Sequence, residues 1–128
     1  MTYVLVVDDE PAFTDALSIS LEREGFVVRT ESDGPAAIAS FDEQVPDLVL
    51  LDVMLPGMSG IDVCREIRKL SAVPVIMVTA KSEEIDAVVG LEVGADDYVT
   101  KPYRLKAVSY THLRAHETRE DRLLPRVG

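Results

Sequence analysis

Five short apolar runs rich in β-branched residues recur along the chain at near-regular spacing: Tyr3 to Val7, Phe26 to Thr30, Leu48 to Asp52, Val75 to Thr79 and Tyr98 to Thr100. Each is the pattern of a buried strand. Between them apolar residues return at helical spacing: Phe13, Leu17 and Leu21; Ala37 and Phe41; Ile61, Cys64 and Ile67; then Ile85, Val88 and Val89, running on to Glu92. Pro11 and Pro35 stand near predicted first turns, and Gly25 and Gly94 stand just past predicted helix ends.

Strands joined through helices must run parallel, in a sheet covered on both faces, so the fold class is α/β. Five strands with right-handed crossovers point to a flavodoxin-like, doubly wound parallel sheet in the order 2-1-3-4-5, with its site at the carboxyl ends of the strands.

With 128 residues, 47% of them apolar, the chain can build one sizeable core but hardly two. No apolar run approaches the length of a membrane span, and the N-terminus lacks the basic and apolar regions of a secretory signal, so a cytoplasmic location is expected. A lone cysteine, Cys64, gives neither a disulfide framework nor a metal cluster and reads as a small apolar residue on a helix face. The net charge of −10 is uneven: residues 1 to 100 hold 6 Lys+Arg against 20 Asp+Glu, whereas residues 101 to 128 hold 7 against 3. An acidic body of that kind is repelled by nucleic-acid phosphates, which argues against direct DNA or RNA binding by this chain.

The predicted carboxyl ends carry the chemistry. Asp8, Asp9 and Glu10 follow the first strand, Asp52 ends the third, Thr79 ends the fourth and Lys101 follows the fifth, while the second strand ends in Thr30 and Glu31, outside this pattern. In the order 2-1-3-4-5 the acids, the hydroxyl and the ammonium converge on one shallow pocket. Crowded carboxylates must hold protons or share a cation, and a hard divalent ion with oxygen ligands, magnesium above all, suits them. Phosphoryl transfer needs mainly positioning and charge neutralisation, which the metal, Lys101 and Thr79 would supply, with Asp52 as nucleophile. Singly, each residue has a plainer reading: Asp8, Asp9 and Asp52 as caps of turns, Thr79 as a common strand residue, Lys101 as a surface lysine. Their joint placement at strand ends favours a site.

The segments VLVVDDEP (Val4 to Pro11), DLVLLDVMLPGMSG (Asp47 to Gly60), PVIMVTA (Pro74 to Ala80) and GADDYVTKPY (Gly94 to Tyr103) closely resemble the receiver domain of bacterial two-component response regulators. LPGMSG and GADDYVTKPY resemble in particular the OmpR/PhoB-like subfamily, whose receiver precedes a winged-helix DNA-binding domain. The resemblance implies that Asp52 is the phospho-acceptor, Asp9 a direct magnesium ligand, Asp8 an acid assisting through water, and the Met54 carbonyl a backbone ligand. It makes Thr79 the hydroxyl that moves toward the phosphoryl group, Lys101 its ammonium partner and Tyr98 the aromatic switch. Met54 and Lys81 occupy the positions that modulate dephosphorylation in that family. The resemblance also implies a sensor histidine kinase as partner, and a domain that catalyses only its own aspartyl phosphorylation and dephosphorylation rather than acting as an enzyme. Phosphorylation would favour a homodimer through the fourth helix, fifth strand and fifth helix, with Glu92, Asp96 and Asp97 as one half of a salt-bridge pattern. DNA would be reached only through an effector domain that this chain lacks.

The resemblance covers residues 1 to 107. From Val108 to Thr118 the chain reads VSYTHLRAHET, which matches no pattern of the family and resembles the translation of a transposon-end adapter used in sequencing libraries. Residues 108 to 128 are therefore expected to be a foreign tail replacing the native fifth helix, which weakens both stability and dimerisation. His112 and His116 lie in that tail, and their i, i+4 spacing offers only Glu117 as a third metal ligand. Three other functions fit less well. A pseudo-receiver would not need the acids with Thr79 and Lys101, an aspartyl-phosphate phosphohydrolase usually has an acid where Met54 stands, and a dinucleotide-binding enzyme would show Gly-x-Gly-x-x-Gly after the first strand.

Overall fold

The structure, a computed structural model, describes residues 2–79 and 92–100. Its elements are β1 (Tyr3–Val7), α1 (Pro11–Arg23), β2 (Val27–Glu31), α2 (Gly34–Glu43), β3 (Leu48–Asp52), α3 (Gly60–Leu70), β4 (Val75–Thr79) and β5 (Asp97–Thr100). The five strands form one parallel sheet in the order β2-β1-β3-β4-β5, as the alternation of runs and helices predicts. The expected helix through Ile85, Val88 and Val89, the residues after Thr100 and the whole of the 108–128 tail lie outside the described residues.

Successive side chains of a strand point to opposite faces, and the sheet sorts them accordingly. Leu5, Val7, Val49, Leu51, Val75 and Met77 join one buried cluster with Ala37 and Phe41 of α2 and Val63, Cys64 and Ile67 of α3. Val4, Val6, Leu48, Leu50, Ile76 and Val78 join the other, with Leu17 and Leu21 of α1. Leu17 and Leu21 are fully buried, each worth about 1.5–3 kcal/mol of transfer free energy.

One strand departs from the sequence reading. The second run spans Val27–Glu31 rather than Phe26 to Thr30, and none of its residues is fully buried. β2 pairs only with β1, so it is the edge of the sheet and its outer flank meets solvent. Phe26, just before the strand, supplies the burial instead.

The helix ends follow local chemistry. α1 starts with Pro11 in its first turn, where a missing N–H costs nothing, and has no side-chain cap at Glu10. It stops at Gly25, whose φ of 93° suits a residue without a side chain, and there Phe26 N–H donates to Leu21 O at 3.1 Å. α2 and α3 are capped by Asp33 and Ser59, which accept from Ala36 N–H at 2.8 Å and Asp62 N–H at 3.2 Å.

Candidate functional site

Register brings the first acids together. β1 and β3 pair with Val7 beside Leu51, so the next residues along, Asp8 and Asp52, leave the sheet side by side. Both share the parity of Val4, Val6, Leu48 and Leu50, which places them on the α1 side of the sheet. Asp8 is 3% exposed and Asp52 4%, whereas Asp9 is exposed. One carboxylate oxygen from each of Asp8, Asp9 and Asp52 lies within 4.8 Å of the others.

The plainer reading of these acids as turn caps is also satisfied in part. Asp8 Oδ1 accepts from Glu10 N–H at 2.9 Å, and Asp52 Oδ1 accepts from Met54 N–H at 3.2 Å. These bonds fix the carboxylates rather than disperse them: Asp8 and Asp52 are each held by the backbone two residues on, and both stay close to Asp9. Three carboxylates at this spacing, two of them shut away from water, form a donor set for a hard divalent cation.

Asp52 is held from below as well. Gly60, the first residue of α3, lies directly against the backbone of Asp52, and a Cβ there would overlap the Asp52 carbonyl oxygen. The absence of a side chain lets Gly60 N–H donate to Val53 O at 2.8 Å and closes the loop from Val53 to Ser59. Met54, in that loop, is 55% exposed.

β4 runs beside β3, with Asp52 level with Val78, so Thr79 ends its strand one residue beyond the acceptor's level, with Thr100 of β5 beside it. Lys101 is the next residue in the chain and lies outside the described residues, as does the side chain of Thr79. Tyr98 sits in β5 beside Met77 and packs, half-buried, against the cluster on the α2 and α3 side.

Two features escaped the sequence reading. Glu31, set apart at the end of β2, lines an open depression with Asp8, Asp9 and Thr14, and its carbonyl accepts from Asp8 N–H at 3.0 Å. β1 lies between β2 and β3, so the end of β2 borders the acids on the side away from Asp52. Asp96, read in the sequence only as part of a dimer's salt-bridge pattern, is exposed and also engaged within the chain: its Oδ2 receives Arg68 Nη2 at 2.9 Å and Val75 N–H at 2.8 Å. An Asp-Asp pair before a strand does not reveal in sequence which acid pairs with α3.

Among the described residues no helix is long and apolar enough to cross a membrane. A model of the response regulator receiver domain matches residues 4–110. The sensory transduction protein RegX3 of Mycobacterium tuberculosis is 62% identical over 103 residues, which are 80% of this chain and 45% of that protein. The DNA-binding response regulator MtrA of Mycolicibacterium smegmatis is 54% identical over 103 residues, with the same two shares. The chain therefore spans about half the length of these curated relatives. Among solved structures, a CheY-like receiver domain protein from Methanospirillum hungatei superposes with a TM-score of 0.86 at 28% identity, over 95% of this chain and 98% of that one. The receiver domain of NtrX from Brucella abortus gives 0.83 at 34% identity, over 90% and 98%. A parallel sheet of this order, the paired acids at its carboxyl edge and these matches agree on one assignment: the chain belongs to the response regulator receiver domain family.

Proposed function

We propose that this receiver takes a phosphoryl group from the phosphohistidine of a sensor histidine kinase onto Asp52, with magnesium held by Asp8, Asp9, Asp52 and the Met54 carbonyl. The observation that carries the reading is the meeting of the Asp8, Asp9 and Asp52 carboxylates within 4.8 Å, with Asp52 nearly buried at the end of β3. When bound, the cation supplies charge neutralisation for the acids and for the incoming phosphoryl oxygens.

The protein's own part is orientation. The Met54 N–H holds one Asp52 oxygen at 3.2 Å, and the close backing by Gly60 sets where the acceptor stands. An Asp52 oxygen bonds to phosphorus as the donor's P–N bond breaks and the imidazole leaves with the electron pair. Thr79 and Lys101 are assigned to the phosphoryl oxygens, and Tyr98 to the switch that follows. The domain acts on its own side chain and later releases phosphate by hydrolysis, so it is a switch rather than an enzyme acting on a separate substrate.

The added charge biases a two-state surface toward a homodimer, to which Glu92, Asp96 and Asp97 would contribute one half of a salt-bridge pattern. In the full-length protein that change would regulate transcription through a DNA-binding domain, in the cytoplasm. Residues 1–107 are assigned to the receiver and 108–128 to a foreign tail in place of the native fifth helix. An uninterrupted native reading frame through codons 108–128 in the source DNA would overturn that last assignment.

The test is intact mass after incubation with acetyl phosphate, with and without magnesium, for the chain and its Asp52→Asn variant. A gain of one phosphoryl group that requires magnesium and vanishes in the variant is expected. No gain by a chain that circular dichroism shows to be folded would replace this reading with that of a phosphate-independent interaction module.

A further inference from the structure

The loop from Val53 to Ser59 carries the Met54 carbonyl; on the β3 side Val53 N–H donates to Val78 O and Met54 N–H to Asp52 Oδ1, each at 3.2 Å, so the far side of the loop decides the rest of its path. Its ends are tied by Gly60 N–H donating to Val53 O, and Met58 N–H donates to Pro56 O at 2.9 Å. Met54 itself is more than half exposed, so it gives the loop little packing. The anchors are Leu55 and Met58, which pack on the cluster between the sheet, α2 and α3.

Met58 has a specific seat. A Cβ on Gly34, the first residue of α2, would lie 2.9 Å from Met58 Cβ, 3.0 Å from Met58 Sδ and 3.0 Å from Val63 Cγ2. The sulfur can swing aside, but Met58 Cβ is fixed to the loop backbone, so relieving that contact means moving the loop. α2 is the firmer partner, because Asp33 caps it and Ala37 and Phe41 bury its inner face.

We infer that Gly34, on a helix that supplies no ligand, is a positioning residue for the cation site: its missing side chain seats Met58 and so sets the Met54 carbonyl relative to Asp52. The inference rests on the magnesium reading above and assigns α2 a part in it. A ligand that is a backbone carbonyl can be placed only by what holds the backbone, as supporting groups around metal ligands do elsewhere.

The test is a titration of the full chain with magnesium alone, followed through carbon-13-labelled methionine methyl groups, at a temperature where every variant is folded. Gly34→Ala is expected to weaken magnesium binding by about 10-fold. Met58→Gly, which empties the seat from the other side, is expected to weaken it too. Once Met58→Gly is present, adding Gly34→Ala should change the affinity little, because the close contact that remains, Val63 Cγ2, belongs to α3 and not to the loop. Unchanged affinity in either single variant, or an equal loss from Gly34→Ala with and without Met58, would overturn the inference while leaving the cation site standing. No magnesium binding by the parent chain would overturn both.

Discussion

Arg68 Nη2 donates to Asp96 Oδ2 at 2.9 Å across 28 residues of chain, tying the last turn of α3 to the approach to β5. The same guanidinium donates to Gly94 O at 2.8 Å and to Val73 O at 2.6 Å, and Asp96 also receives the first N–H of β4. With Ser71 O, which Arg68 Nη1 reaches at 3.3 Å, one cation thus serves three carbonyls and an acid. Such a planar fork of donors is not replaced by an ammonium. Arg68→Ala is expected to cost about 2 kcal/mol and Arg68→Lys about 1 kcal/mol, less than for a buried pair because water reaches Asp96. Urea unfolding of both variants checks this; equal stability of Arg68→Lys and the parent chain would show that charge alone matters.

The acid cluster predicts opposite effects of one substitution with and without cation. Asp9→Asn removes a negative charge from three crowded carboxylates, so without magnesium the variant should melt at or above the parent temperature. With magnesium at about ten times its dissociation constant the parent should gain about 1.4 kcal/mol, a gain that Asp9→Asn largely loses. Thermal melts in chelator and in excess magnesium measure both. A parent chain indifferent to magnesium would refute the cluster as a cation site.

Gly60 predicts the most damaging single methyl group in the described core. Alanine there would place a carbon inside the Asp52 carbonyl oxygen, and two backbones must part to admit it. Gly60→Ala is expected to cost about 3 kcal/mol and to lower phosphoryl uptake even at temperatures where it remains folded. Denaturant unfolding with parallel intact-mass assays separates the two effects.

Cys64 is fully buried, and burial pushes its thiol above the ordinary thiol value of 9.0, against the smaller opposing pull of Arg68. A folded value above the unfolded one means a contribution that is fully present below 9.0 and lost as pH rises from there through the folded value. Parent stability should therefore fall above about pH 9 more steeply than that of Cys64→Ala, which itself should cost about 1 kcal/mol at neutral pH. Native-state labelling by a thiol reagent should be slow until the chain unfolds. Rapid labelling at neutral pH would contradict the burial.

The order of the sheet and most of its inner residues were legible because strand and helix periods are local properties. Leu17 and Leu21 follow from spacing alone, and so does the parity that sends Val6 and Val7 to opposite faces. The acids Asp8, Asp9 and Asp52 were legible for a related reason: each stands at the end of a readable run. The exposure of β2 was not, since an apolar run looks the same at the centre and at the edge of a sheet. Nor was the pairing of Asp96 with Arg68, which reads in sequence as an ordinary basic residue in a last helical turn.

By itself the sequence determined which segments are strands, that they run parallel, and which side chains cap their carboxyl ends, because these depend on residues a few positions apart. Only the tertiary structure decided that Asp8 stands level with Asp52, that Gly60 backs the acceptor, that Gly34 seats Met58 and that Arg68 claims Asp96. Each of those relations joins separate elements through register or close approach. Such distances are set by how whole strands and helices pack, and no local pattern encodes them.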